Sequence, residues 1–493
     1  MSNLADAMPI NAALHAALSD RRQIDGNDAR ALYFALNKGM PKGAPDADSG
    51  AAARAYLDRQ LDHARTLPSD MPQNPAALMD WMTGRAHQVG LQYHAYLQGR
   101  RDGAPRRYFS NRSHALYFLQ NVAPTKLVDG AWLFGLLTRW DDPDFRPLIQ
   151  TYLEELGDGV PEKNHVVLYK KLLASEECDQ WQDLPQEQFI QGAIQLALAY
   201  NAEHFLPEII GFNLGYEQLP LHLLITAYEL NELGIDPYYF TLHVTVDNGS
   251  TGHACKAVQA LQQLMPQGLD AEVFMRRVQD GYRLNDLGAG TTSVIEGFDL
   301  QEELVRILAA KAVAGQNMHS DYCRVAGRSI NDWLSTPQQI PSMLAELEKA
   351  GWIQRGEPAE NSRFWRLIQS ERAEMSGVFS AYEQQVLKDW ITAVPGTDGK
   401  PAAAPRTLSY RARQRSLDTF GLQQAPRSQH GPRSIIRRHQ HDNHGALRQL
   451  EQRIAARGSK EAAMALLQSL MTPAGHHSAS GLMATRMFRQ LLG

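Results

Sequence analysis

Apolar residues recur at three- and four-residue intervals along most of this 493-residue chain, and that spacing commits it to packed helices. The segments AAARAYLDRQLDHARTL (51–67), NPAALMDWMTGRAHQVGLQYHAYLQGRR (74–101) and QFIQGAIQLALAYNAEHFLPEIIGFNLGYEQL (188–219) carry the pattern most clearly. The strict alternation of a half-buried strand is scarce. One stretch, YFTLHVTV (239–246), is rich in β-branched residues and also reads as strand. Its helical surroundings decide for helix, so the expected fold class is all-α.

The length suffices for two or three domains, or for one large domain with extensions. Residues 1–110 read as an N-terminal helical extension with polar loops such as KGMPKGAPDADSG (38–50), and 111–320 form the densest helical block. Residues 321–395 continue it with distal helices. At about 396 the composition shifts to Pro, Arg, Ser and His, which predicts a linker over 396–445. A helical tail follows over 446–493, with helices near 446–457 and 459–471. No repeat of solenoid length is present.

A net charge of −5 and a pI near 6.4 give no reason to expect nucleic acid or an anionic membrane as partner. No apolar run has the length of a bilayer span, and MSNLADAMPINAALHAALSD lacks the basic start and apolar stretch of a secretory signal. The three cysteines, Cys178, Cys255 and Cys323, show no paired spacing. That fits a reducing compartment and argues against a disulfide scaffold or a thiolate zinc site. The expectation is a soluble, cytoplasmic protein.

Chemistry concentrates in HVTVDNGSTGH (243–253). His243 and Asp247 lie four apart, on one helical face. Gly249, Ser250, Thr251 and Gly252 then discourage regular helix, and His253 follows at once. Upstream, YLEELGDGVPEKNH (152–165) repeats the arrangement: Glu155 and His165 are ten residues apart, with Gly157, Gly159 and Pro161 between them. On an unbroken helix ten residues rise roughly 15 Å, whereas the ions of a two-metal site sit roughly 3.5–4 Å apart. Each helix is therefore predicted to break, so that both of its ligands reach one centre. FLPEIIGFNLGYE adds Glu208 and Glu217 in an apolar helix, where a carboxylate needs a partner. The set Glu155, His165, Glu208, His243, Asp247 and His253 suits divalent iron or manganese and is compatible with zinc.

Through EELGDGVPEKNH, LPEIIGFNLGYE and above all YYFTLHVTVDNGSTGHACKAV, the chain resembles the heme-oxygenase-like diiron oxidases, also called iron-containing redox enzymes. The likeness spans roughly 111–390, with a fainter echo in AGWIQRGEPAENSRFW and MSGVFSAYE. It implies a seven-helix bundle like heme oxygenase, without heme, holding two iron ions per chain. It also implies that one core helix supplies Glu155 and His165, a second Glu208, and a third His243, Asp247 and His253. Glu154 can replace Glu155, Glu217 can replace or supplement Glu208, and Asp158 can stand behind the ligands. Many relatives have shorter intervals within the first and third ligand pairs. The implied reaction is activation of O2 to oxidise an amino acid or aliphatic carboxylate, by C–C cleavage, desaturation or N-oxygenation. An external electron donor is compatible with that chemistry, and so is a homodimer.

Other clusters carry less. His439, His441, Asp442 and His444 form a metal-capable tract, but in the linker and without an apolar frame. Arg411, Arg413, Arg415, Arg433, Arg437 and Arg438 have few interleaved aromatics for stacking on bases, so a solvated linker is the expected reading. His204 and His222 read as ordinary packed or surface residues, and Cys255 lacks an activating pair beyond His253. The competing functions are a non-catalytic helical scaffold with a basic partner-binding tail, and a metal-dependent hydrolase built on the same ligands.

Overall fold

The periodic segments become helices whose ends are set by local chemistry. In the computed structural model, residues 28–38, 45–246, 252–315, 318–320, 322–369, 375–394 and 440–493 are described. The N-terminal helices are α1 (Ala29–Leu36), α2 (Ala47–Ala64) and α3 (Leu78–Arg101). Asp28 and Asp46 cap the first two by accepting backbone N–H bonds, which satisfies donors that a helix start leaves open. Then come α4 (Arg112–Asn121), α5 (Ala123–Lys126), α6 (Arg146–Glu155), α7 (His165–Ser175), α8 (Ile190–Ala199) and α9 (Leu206–Tyr216). The run 188–219 is thus two helices, with Pro207 in the first turn of the second. Next are α10 (Leu221–Glu232), α11 (Tyr238–Val246), α12 (His253–Leu264) and α13 (Leu269–Arg283). The ambiguous segment 239–246 is helical.

Beyond these lie α14 (Thr291–Glu296), α15 (Leu300–Gly315), α16 (Ile330–Leu334), α17 (Ile340–Lys349), α18 (Arg363–Gln369) and α19 (Ala381–Thr392). A two-residue antiparallel pair, β1 (Arg324–Val325) and β2 (Arg328–Ser329), turns through Ala326 and Gly327, both left-handed. The last helices are α20 (Gln440–Ala455), α21 (Lys460–Leu470) and α22 (Ala479–Leu492). Helix α20 begins at Gln440, inside the stretch read as linker to 445, so the helical tail starts earlier than composition suggested. Residues 396–439 lie outside the described residues, as do the side chains of His441, Asp442 and His444. No helix among the described residues is long and apolar enough to cross a membrane.

Two large hydrophobic cores organise the chain, and neither follows a single stretch of sequence. The first joins α1 and α2 with the 131–137 segment, α6, α8, α9, α12, α13 and the C-terminal α21 and α22. The second joins α4, α7, α10 and α11 with the later helices from α14 to α19. Helices α9 and α13 meet backbone to backbone: a Cβ on Gly211 would overlap the carbonyl of Val278, and one on Gly281 the backbone of Glu208. That contact brings both ends of α9 to fixed positions.

One consequence of the second core concerns pH. The His114 ring stacks on Phe298 with centroids 4.4 Å apart, its Nε2 donates to the carbonyl of Ile295 at 2.8 Å, and its Nδ1 accepts from the Ser110 amide at 3.3 Å. Burial pushes its pKa down to about 4. The unfolded chain therefore binds a proton at His114 that the folded chain refuses between about 6.5 and 4. The stabilisation is complete above this window and is lost as pH falls through it. Between pH 7 and pH 5 its share is about 2 kcal/mol. Urea midpoints at the two pH values should fall less for His114→Gln than for the unaltered protein; equal slopes would contradict this account.

Candidate metal centre

Six buried ionisable side chains meet where the two cores touch. One group is Asp129, Glu155, His165 and His243; another is Glu155, Glu217 and His253; within each, the donor atoms lie within 4.8 Å of one another. Glu155 belongs to both. Asp129, Glu155, Glu217 and His253 sit on or beside elements of the first core, while His165 and His243 come from helices of the second.

The backbone delivers Glu155 and His165 by ending one helix and starting another. Helix α6 stops at Glu155, two short 3-10 turns follow over Gly157–Gly159 and Pro161–Lys163, and α7 opens on His165. Gly157, Asp158 and Gly159 all have left-handed φ, the conformation that glycine adopts at least cost. A Cβ on Gly157 would also overlap the backbone of Lys163 and Asn164. The second break is similar in outcome but different in cause. Helix α11 ends at Val246 and α12 begins at His253, so no continuous helix joins His243 to His253. Gly252 between them is extended, with φ −74° and ψ −177°, a conformation open to any residue. Backbone permissiveness therefore explains the first break and not Gly252.

The imidazoles are oriented by what their outer nitrogens touch. His243 donates from Nδ1 to the Tyr239 carbonyl at 2.8 Å, which turns Nε2 to within 3.2 Å of Asp129 Oδ2. His253 donates from Nε2 to Glu154 at 2.9 Å, leaving Nδ1 at 3.1 Å from Glu217 Oε2 and 3.2 Å from Glu155 Oε1. Lys256 holds Glu154 from the far side at 2.5 and 2.6 Å. A carboxylate behind an imidazole is the arrangement that fixes a metal-binding histidine. His165 Nδ1 lies 2.6 Å from Glu155 Oε2 and 3.6 Å from Asp129 Oδ2, and its buried Nε2 has no hydrogen-bond partner among the described residues.

Asp129 is held as firmly. Tyr216 and Tyr239 donate to its two oxygens at 2.8 and 2.6 Å, and Lys126 donates to the Tyr216 hydroxyl at 3.0 Å. Gly130 beside it has φ +78°, and a Cβ there would come within 2.8 Å of the Glu155 Cβ. Burial favours the neutral form of these acids, yet positive neighbours win: Lys126 and the two histidines hold Asp129 well below the usual carboxylate range, and His165 and His253 lower Glu155. Burial works equally against a charged His165, but Glu155 and Asp129 raise it. In the absence of a metal, a proton on His165 offsets part of the carboxylate charge.

The structure brings together Glu155, His165, His243 and His253 from the set read in the sequence. It places Glu208 elsewhere. Both Glu208 oxygens are taken by Arg277, at 2.6 and 2.7 Å, at the start of α9, whereas Glu217 at the other end of that helix joins the cluster. Glu154 stands behind His253 rather than in Glu155's place. Asp158 pairs with Arg489, and Asp247 lies outside the described residues. Asp129 escaped sequence reasoning because it sits in the turn KLVDGAW, off the helical register that revealed the others. The Asp-Gly pair there reads as an ordinary turn signal.

A buried cluster of imidazoles and carboxylates within a helical bundle defines a protein able to hold metal ions. Residues 116–286 match the family model of the iron-containing redox enzymes. The matched stretch includes every residue of both groups. No curated protein and no solved structure matches the chain.

The two glutamates of α9 separate cleanly by substitution. Glu217→Gln should cost metal binding, read as metal per chain after dialysis, with little change in stability. Glu208→Gln should leave metal content unchanged and lower stability by about 2 kcal/mol through its broken charged hydrogen bonds. The reverse pattern would reassign them.

Proposed function

We propose that the chain is a non-heme diiron oxidase or oxygenase, using O2 to oxidise a small amino acid or aliphatic carboxylate. The carrying observation is that Glu155 is common to both donor groups: its Oε2 faces His165 and its Oε1 faces His253. A carboxylate so placed can serve two ions at once. Three carboxylates offset most of the charge of two divalent cations, and three neutral imidazoles add donors without adding charge. That mixed nitrogen and oxygen set suits iron, with manganese next. Bound ferrous iron would supply the electrons that activate O2.

The chain's own residues do the rest. Asp129 is locked by two tyrosines, and His243 and His253 are each locked by their outer nitrogen, so the donors need little reorganisation to bind. A cavity of about 390 Å³ reaches this centre at His243, Tyr216 and Ala254. Its wall is mixed: Met82, Val89, Val122, Leu219 and Leu221 form an apolar part, Arg85, Gln191, Gln218, Asn285 and Asp286 a polar part, and Lys126 brings a positive charge to it on the side of the metal centre. We assign Lys126 to the substrate carboxylate, with the apolar part of the wall against the oxidisable carbons. Electrons beyond those stored in the metal would come from an external donor.

Three outcomes test this reading. Anaerobic Fe(II) loading followed by elemental analysis and Mössbauer spectroscopy should give close to two non-heme iron ions per chain; a reproducible zero, or a heme spectrum, would sink the proposal. Metal uptake near neutral pH should release protons into weakly buffered solution, because His165 must lose its proton to become a ligand, and affinity should rise between pH 6 and 8. Across a panel of amino acids and aliphatic acids, O2 uptake by Lys126→Met, normalised to the iron it binds, should show at least about a tenfold lower kcat/KM than the unaltered protein for any acid used.

A further inference from the structure

The turn that carries Glu155 to His165 does not stand alone. Asn164 sits at its end, fully buried, and caps α7 by accepting the Val167 amide at 3.0 Å. Its side-chain amide donates to the Leu156 carbonyl at 3.1 Å. One side chain therefore ties the residue after Glu155 to the residue before His165. The same amide nitrogen lies 3.1 Å from Nδ1 of His476, itself 2% exposed. His476 belongs to the turn between α21 and α22, far outside the stretch 116–286.

Helix α22 grips the other side of the same turn. Arg486 donates to the Gly159 carbonyl at 3.0 Å, and Arg489 pairs with Asp158. A Cβ on Gly159 would overlap the Leu482 carbonyl, so α22 packs directly on that backbone. The Tyr152 hydroxyl, one turn before Glu155, donates to the Met471 carbonyl at 2.6 Å in the buried interior. The C-terminal hairpin thus contacts α6, the turn and the start of α7, on both sides of two candidate ligands.

We propose that this hairpin is a working part of the metal centre, and that His476 is a positioning residue which, through Asn164, fixes the spacing of Glu155 and His165. The proposal rests on the diiron reading above. An imidazole acceptor at position 476 sets the Asn164 amide, Asn164 sets the two chain ends, and the chain ends set the ligands. Loss of that acceptor leaves one Asn164 amide hydrogen unpaired in the interior, which weakens the link between the two chain ends and widens the range of Glu155–His165 separations in the metal-free protein. Metal affinity then falls because a less ordered site must be organised at the moment of binding.

The test uses the full chain and three variants. His476→Leu removes the acceptor at similar size; His476→Asn restores one at the δ position; Phe488→Leu thins the packing of the same hairpin and leaves the His476–Asn164 contact in place. Fe(II) affinity is read by competition with a chromophoric chelator under anaerobic conditions. Amide hydrogen exchange over 157–164 is read in the metal-free protein. Expected are about tenfold weaker binding and faster exchange in His476→Leu, near-normal values in His476→Asn, and a lower melting temperature with normal affinity in Phe488→Leu. Normal affinity and exchange in His476→Leu would overturn the positioning role and leave the diiron reading intact. Equal losses in Asn and Leu variants, or in Phe488→Leu, would also overturn it, by showing a merely structural effect. Should the unaltered chain bind no metal, both readings fail together.

Discussion

Three carboxylates buried side by side repel one another, and the rest of the structure depends on how that repulsion is offset. Asp129, Glu155 and Glu217 are each at most 2% exposed. A lone buried carboxylate would neutralise or be driven to the surface. Here Lys126 stands behind Tyr216, two tyrosine hydroxyls point at Asp129, and three imidazoles complete the ring of partners. Among the imidazoles, it is His165 that Glu155 and Asp129 hold protonated, and that proton offsets part of the charge. The site is thus a charge defect in an otherwise apolar interior, and its shape is that of the cations that would fill it.

Its position explains why so much chain is needed to build it. The donors are drawn from two separate hydrophobic cores, each rigid in itself. Helices α6, α9 and α12 belong to the first, and α7 and α11 to the second. The breaks at 156–164 and at Gly252 lie on stretches where the chain crosses from one core to the other. A ligand pair split across such a crossing is held by the packing of both bodies rather than by one helix. The close approach of α9 to α13 at Gly211 and Gly281 fixes one side; the C-terminal hairpin backs the other.

Much of this was legible in the sequence, for reasons that particular residues make clear. Apolar spacing revealed the helices, and tertiary context correctly outweighed the β-branched content of 239–246. The ten-residue intervals with glycines foretold the helix breaks, because ligands at the ends of a straight helix cannot converge. Glu208 and Glu217 could not be ranked, since both sit on the same apolar helix and only the distant Arg277 separates their roles. Asp129 was invisible because a turn carboxylate has no periodic signature. Nor could composition show that residues 460–492 belong to the same core as residues 29–64.

That last feature bears on how the protein is made. The first core takes its helices from near residue 29 and from near residue 490, so its assembly requires contacts between distant parts of the chain. Contacts of that kind form late, after the entropy of closing very long loops has been overcome. On the ribosome, the helices bearing all six clustered side chains emerge well before α21 and α22 exist to back them. During that interval their apolar faces stand partly uncovered, the state of a folding chain that is prone to aggregate. The six clustered side chains therefore reach their final spacing only when those last helices have packed, which makes completion of the site one of the last events of folding.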